Sequence, residues 1–252
     1  MDIQEIKRLA RAGYYLVPVA APACLLKAWY SGADNWSLQW VLQPLAALTG
    51  MITGLDFEVD GFGNWINHVN HIAIVKSCAG VNFMVLSLLI YQYRGMKFLQ
   101  RHTGVITRVF QYLFVGVSCL FAAWYTALFV NTLRIGLAIY LYLENFTLPG
   151  LGSREIHLAA GVLLYFPALW LQCLVCCGTG ITHTGKVALG CYLGMVVLVP
   201  VLSGNFLEQP RGFLWHVLVT VLTLLMVFAA GYTIRFLIRG IKPGQPDGGL
   251  SG

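Results

Sequence analysis

Long apolar runs separated by short polar, basic segments dominate the chain. Six of them, at about 14–30, 78–93, 107–130, 158–177, 186–203 and 213–235, are of the length that spans the roughly 30 Å hydrocarbon core of a bilayer as helix. The pattern predicts an all-α polytopic membrane bundle of about six spans. Two further apolar stretches do not fit simple crossings. Residues 36–55 are broken by Pro44 and Gly50, and a crossing there would reverse every later loop. This stretch is expected to re-enter the membrane or lie on its outer face. Residues 131–146 follow the third span without a break and are expected to continue it as helix, then turn along the outer surface and end at Pro149, Gly150 and Gly152. Between the first stretch and the second span, 56–61 alternates in polarity and 71–75 is rich in β-branched residues, which suggests a small outer β-hairpin.

Composition and charge agree with this pattern. Of the 252 residues 58% are hydrophobic and 10% charged, against roughly 25% charged in a soluble domain. The net charge of +6 does not point to nucleic acid, because Lys and Arg sit at the ends of the apolar runs rather than in a patch. Eleven of them (Lys7, Arg8, Arg11, Arg94, Lys97, Arg101, Arg108, Lys186, Arg235, Arg239 and Lys242) fall on one side of the predicted spans. Four (Lys76, Arg134, Arg154 and Arg211) fall on the other. The positive-inside rule then places both termini in the cytoplasm. The first apolar run is read as an uncleaved helix, residues 1–242 as one integral membrane domain, and the Gly/Pro-rich 243–252 as a disordered cytoplasmic tail. Trp36, Trp40, Trp65 and Tyr30 suit an outer aromatic belt.

Three reactive side chains share the outer face in this topology: Cys78 at the start of the second span, Arg134 after the third and His157 at the start of the fourth. Titratable groups at membrane depth are costly and tend to be functional. Were Ser77 a helix cap, Cys78 would open its helix, where free N–H groups and the nearby Lys76 favour a nucleophilic thiolate. Gly80 keeps the approach open and Asn82 lies one turn on. A histidine at 157 can take a proton from a thiol and return it to a leaving amine. Arg134 can donate to an oxyanion or hold a carboxylate, with Asn131 three residues back on its helix face to orient either partner. Each has a plainer reading too, as a small buried residue, an interfacial histidine and an arginine reaching lipid phosphates.

Of the seven cysteines, six lie in or at the end of apolar runs, and their odd number argues against a disulfide framework. Cys173, Cys176, Cys177 and His183 resemble a metal set in type, as do His68 and His71 in spacing, but apolar packing and a solvated loop account for them better. His71 is also placed to shape access to Cys78. Phosphate-binding glycine loops, the nucleophile elbow and the zinc-protease helix motif are absent, and no cofactor or metal is implied.

Ser77-Cys78-Ala79-Gly80, then Asn131-x-x-Arg134-Ile135, then His157-x-x-x-Gly161-x-x-x-x-Phe166 resembles the exosortase/archaeosortase family, most closely its exosortase K branch. The motifs cover about 75–166. Many members carry Ala-Cys-Ser-Gly, where this chain has Ser77 before the cysteine and Ala79 after it. The resemblance implies a membrane cysteine protease or transpeptidase of the plasma membrane, active on its outer face. Its partners would be secreted proteins with a C-terminal sorting tail of short motif, transmembrane helix and basic end. Cys78 would attack, His157 would move the proton, Arg134 would hold the oxyanion, and an acceptor amine or water would resolve the thioacyl enzyme. A transporter or assembly component for envelope polysaccharide is the alternative. It would place polar or broken helices at mid-bilayer, whereas here the polar residues gather at the rim. A catalytically dead scaffold would not need all three side chains.

Overall fold

The structure, a computed structural model, describes residues 3–99, 105–146, 153–177, 181–198, 201 and 210–240. It is mostly helical: α1 (Ile3–Gly32), α2 (Gln39–Thr53), α3 (Val81–Leu99), α4 (Val105–Leu143), α5 (Ser153–Cys177), α6 (Ile181–Leu193) and α7 (Pro210–Gly240). A small sheet of β1 (Glu58–Val59), β2 (Trp65–Asn67) and β3 (Ile72–Ile74) lies between α2 and α3. A 3₁₀ turn, Lys76–Cys78, precedes α3, and a π turn, Gly194–Leu198, follows α6. The expected disordered tail at 243–252 lies outside the described residues.

Among the described residues three segments are long and apolar enough to cross a membrane: Phe110–Leu143, Ile156–Cys176 and Gly212–Ala229. The surface of α4 shows what solvent they suit. Phe110, Phe114, Phe121, Tyr125 and Phe129 recur at helical spacing and stand exposed, Phe114 at 75%. An apolar stripe of that size does not persist against water; against acyl chains it carries no penalty.

α3 forms the centre of the bundle and packs on α1, α4 and α5. From Val81 to Ile90 it is buried nearly all round, as an enclosed helix should be. Its far half crosses α4 so closely that a Cβ on Gly95 would lie 2.4 Å from Val115 Cγ1. Lipid is as apolar as leucine, so such helices are held by packing and interhelical hydrogen bonds. Ser87 Oγ donates to Gln172 Oε1 across α3 and α5 at 3.1 Å, and the Tyr91 and Thr126 hydroxyls meet at 2.8 Å across α3 and α4. Phe166 on α5 is fully buried against Trp170, Tyr192 and Phe228.

The two irregular apolar stretches resolve differently. α2 has 15 residues, about 22 Å of helix at 1.5 Å per residue, which is short of a full crossing, and it ends at Gly54 with φ +71°. Residues 131–143 are one with the third run, giving a 39-residue α4. The helix ends at Leu143, short of the expected Pro149–Gly150–Gly152 segment, part of the undescribed 147–152, and the chain turns at Asn145. Asn145 takes φ +50°, Phe146 N–H reaches back to Leu141 O at 2.9 Å and Asn145 N–H to Tyr142 O at 3.1 Å. This is the left-handed termination that asparagine supports.

The expected hairpin gains a third strand. Antiparallel pairing runs β1–β2–β3, with Trp65 opposite both Val59 and Ile74. Trp65–Asn67 reads as polar loop, yet Asn67 is buried, donates to Asp56 O at 2.7 Å and accepts from Asn70 N–H at 2.8 Å. The β1–β2 turn is wound around Asp60, whose Oδ1 accepts from Phe62 and Asn64 N–H, both at 2.8 Å. The sheet is fastened to the α1–α2 connection by side chains. Asn35 donates to Asn64 Oδ1 at 2.8 Å, while Gln39 donates to Gly63 O and accepts from Trp65 Nε1, both at 2.8 Å.

Candidate active site

Cys78 ends the 3₁₀ turn, and α3 starts three residues later at Val81. The expectation that Ser77 caps the helix and Cys78 opens it is therefore corrected. Gly80, at φ +68°, intervenes, and its carbonyl accepts the first helical bond from Met84 N–H at 3.1 Å. The turn is set by Cys78 N–H to Val75 O at 2.7 Å and by Asn35 Oδ1, which accepts Lys76 N–H at 2.8 Å.

Asn131 ties this turn to the rest of the site. It is fully buried in α4, and its carboxamide nitrogen donates to the Cys78 carbonyl. Its oxygen accepts from Arg134 Nε at 3.0 Å and from the Tyr165 hydroxyl at 2.5 Å. The cysteine turn, α4 and α5 thus meet on one side chain. Gly80 makes room for it, since a Cβ there would lie 2.8 Å from Asn131 Cγ and 2.9 Å from Nδ2. Tyr165 stacks on Phe83 with centroids 4.8 Å apart, and the Arg134 guanidinium lies 5.6 Å from the Tyr165 ring. Gly161 of α5 faces the Arg134 side chain, its added Cβ falling 3.7 Å from Arg134 Cδ.

Two cavities adjoin this junction. The first, about 420 Å³, is lined by Cys78, His71, Ile135, Tyr142 and His157 among others. The second, about 270 Å³, is lined by Arg134, Asn82, Tyr165, Thr220 and again His157. Cys78 is half-buried and His157 exposed. Of the sequence-predicted trio, His157 lines both cavities, Cys78 only the first and Arg134 only the second.

The supporting residues divide. Asn131 and Gly80 shape the site directly. Lys76 does not face the thiol in the manner expected: its Nζ donates to Ala33 O at 2.6 Å and Ser31 O at 3.1 Å at the end of α1. Carbonyls at a helix end attract a cation. Asn82 accepts from Lys27 Nζ at 2.6 Å. His71, at φ +55°, is exposed at the β2–β3 turn and lines the first cavity.

Three participants escape the sequence reading. Tyr165 is one hydroxyl in an apolar run. Tyr30 donates to Lys76 O at 3.0 Å and lies between Lys27 and Lys76, whose Nζ atoms are 5.5 and 5.2 Å from its ring. Lys27 carries the clearest missed signal, a lone cation between Arg11 and Lys76. Among the described residues no group of three or more His, Cys, Asp or Glu could hold a metal ion; Cys173 and Cys176 are buried, while the side chains of Cys177 and His183 lie outside the description. No family model, curated protein or solved structure matches the chain.

Proposed function

We propose that the chain is a membrane cysteine peptidase or transpeptidase of the exosortase type, acting on secreted proteins with a C-terminal sorting tail. The observation that carries this reading is the convergence on Asn131 and the cavities beside it. A thiol and an imidazole line one cavity, and a guanidinium is anchored on the carboxamide that holds the cysteine's own carbonyl. A nucleophile, a proton carrier and a cationic donor are the groups acyl transfer needs.

In this reading Cys78 attacks the scissile carbonyl where the first cavity adjoins the second at His157, its proton passing to His157. Arg134, held by its Nε on Asn131, stabilises the oxyanion. His157 then protonates the leaving amine, and the released tail carries the substrate's transmembrane helix. The first cavity, bounded by Ile135, Tyr142 and His71, takes the chain preceding the scissile bond. The chain crosses the plasma membrane six times with both termini in the cytoplasm, α2 re-enters or lies along the outer face, and the site opens outward beneath the small sheet. Co-expression with a tail-bearing secreted protein tests the reading. Tail removal should occur with the native chain and cease with Cys78→Ala at equal membrane levels; removal that persists in Cys78→Ala contradicts it.

A further inference from the structure

The proposed reaction needs two ligands in succession, and two cavities meet at His157. Cys78 lines only the first. Arg134 lines only the second, which is floored by Leu86 and Val162 and closed on one side by α7 at Thr220. Thr220 is 1% exposed and its hydroxyl has no hydrogen-bond partner. Burying an unpartnered hydroxyl is unfavourable, and this one lies in the wall of the cavity.

Building on the function proposed above, we infer that the second cavity is the acceptor subsite, and that it takes a primary amine carrying an anionic group. The thioacyl enzyme must be resolved by a nucleophile that reaches its carbonyl while in contact with a base. His157 is the one titratable group bordering both cavities. The anion is assigned by Arg134, whose guanidinium presents donors in a rigid fork suited to phosphate or carboxylate. Gly161 lies one helical turn from His157 and against Arg134 Cδ, which brings the base and the guanidinium to the same cavity.

The step balances without a further reagent. The amine nitrogen attacks the thioester carbonyl, a C–N bond forms and the C–S bond breaks. One proton passes from nitrogen to His157 and on to the departing sulfur, which restores the Cys78 thiol.

The test uses the full chain in lipid nanodiscs with a tail-bearing substrate. 2-Aminoethyl phosphate and ethanolamine are offered at equal concentration, and amide and hydrolysed products are counted by mass spectrometry. The expected result is at least a tenfold preference for the phosphate-bearing amine, falling to near parity in the residual transfer left by Arg134→Gln, whose total turnover also drops with the loss of the oxyanion donor. Inorganic phosphate should compete for Arg134 and lower the preference for the phosphate-bearing amine in the wild-type chain, a ratio of products that does not depend on the variant's activity. Nanodiscs of a phospholipid with an aminoethyl phosphate headgroup, compared with a choline headgroup, separate a membrane-borne acceptor from a soluble one. Equal use of the two amines, or a preference insensitive to inorganic phosphate, overturns the acceptor subsite while leaving the peptidase reading intact. Failure of tail release in the wild type, equal to that in Cys78→Ala, overturns both.

Discussion

Gly80→Ala separates a backbone effect from a collision at the site. The residue has φ +68°, and a left-handed conformation costs an L-residue about 1–2 kcal/mol. The added Cβ would also lie 2.8 and 2.9 Å from Asn131 Cγ and Nδ2. Asn131 is fully buried and tied to three partners, so it can yield only by giving up its bond to the Cys78 carbonyl. Stranding a buried polar group costs about 1–3 kcal/mol. The two effects together come to about 2–5 kcal/mol. A displacement of about 1 Å in the cysteine turn would further lower turnover on the order of a hundredfold. Gly54→Ala is the matched control, because φ there is +71° with nothing within 4 Å of the added Cβ, leaving the backbone effect alone. Thermal unfolding in detergent and tail release in co-expression read the two quantities. Equal destabilisation of Gly80→Ala and Gly54→Ala, with equal tail release, would refute the packing of Gly80 on Asn131.

Other substitutions test the bundle and the small sheet. Gly95→Ala places a Cβ 2.4 Å from Val115 Cγ1 and should destabilise by about 1–3 kcal/mol; adding Val115→Ala should recover most of the loss in a thermal melt. Gln172→Leu removes the acceptor of the buried Ser87 hydroxyl and should cost about 1–2 kcal/mol, while the double variant Ser87→Ala/Gln172→Leu should approach the wild-type melting temperature. The Asp60 carboxyl is held below its usual range, chiefly by the Asn64 side chain and then by backbone N–H groups. A carboxyl depressed in the folded state contributes stability above its unfolded pKa and loses that contribution as pH falls through the folded value. Limited proteolysis of 58–74 should therefore rise on acidification below the ordinary aspartate range, and Asp60→Ala should make it rise already at neutral pH.

Much of this was legible in the chain, for reasons that particular residues make clear. The apolar runs now in α4, α5 and α7 announce themselves because a lipid-facing helix needs unbroken hydrophobicity. Cys78, Arg134 and His157 stand out because reactive or charged groups are scarce beside long apolar runs. The start of α3 was misplaced because a serine before an apolar run looks like a cap, while the left-handed backbone of Gly80 depends on Asn131, 51 positions away. The middle strand is hard to read because the burial of Asn67 comes from the α2–β1 and β2–β3 connections, not from its own polarity. Lys76 and Asn82 were assigned to the thiol by proximity along the chain, yet α1 brings them partners from 27–33.

The claim on which the account rests is that Cys78 carries the acyl group. Incubating the full chain with a tail-bearing substrate, quenching in acid and mapping adducts by mass spectrometry tests it directly. The account predicts a hydroxylamine-sensitive thioester on the Cys78 peptide, absent in Cys78→Ala and much reduced in His157→Ala. A thioester on Cys24, Cys119 or Cys191 instead, or tail release with no adduct in a chain lacking Cys78, would contradict it.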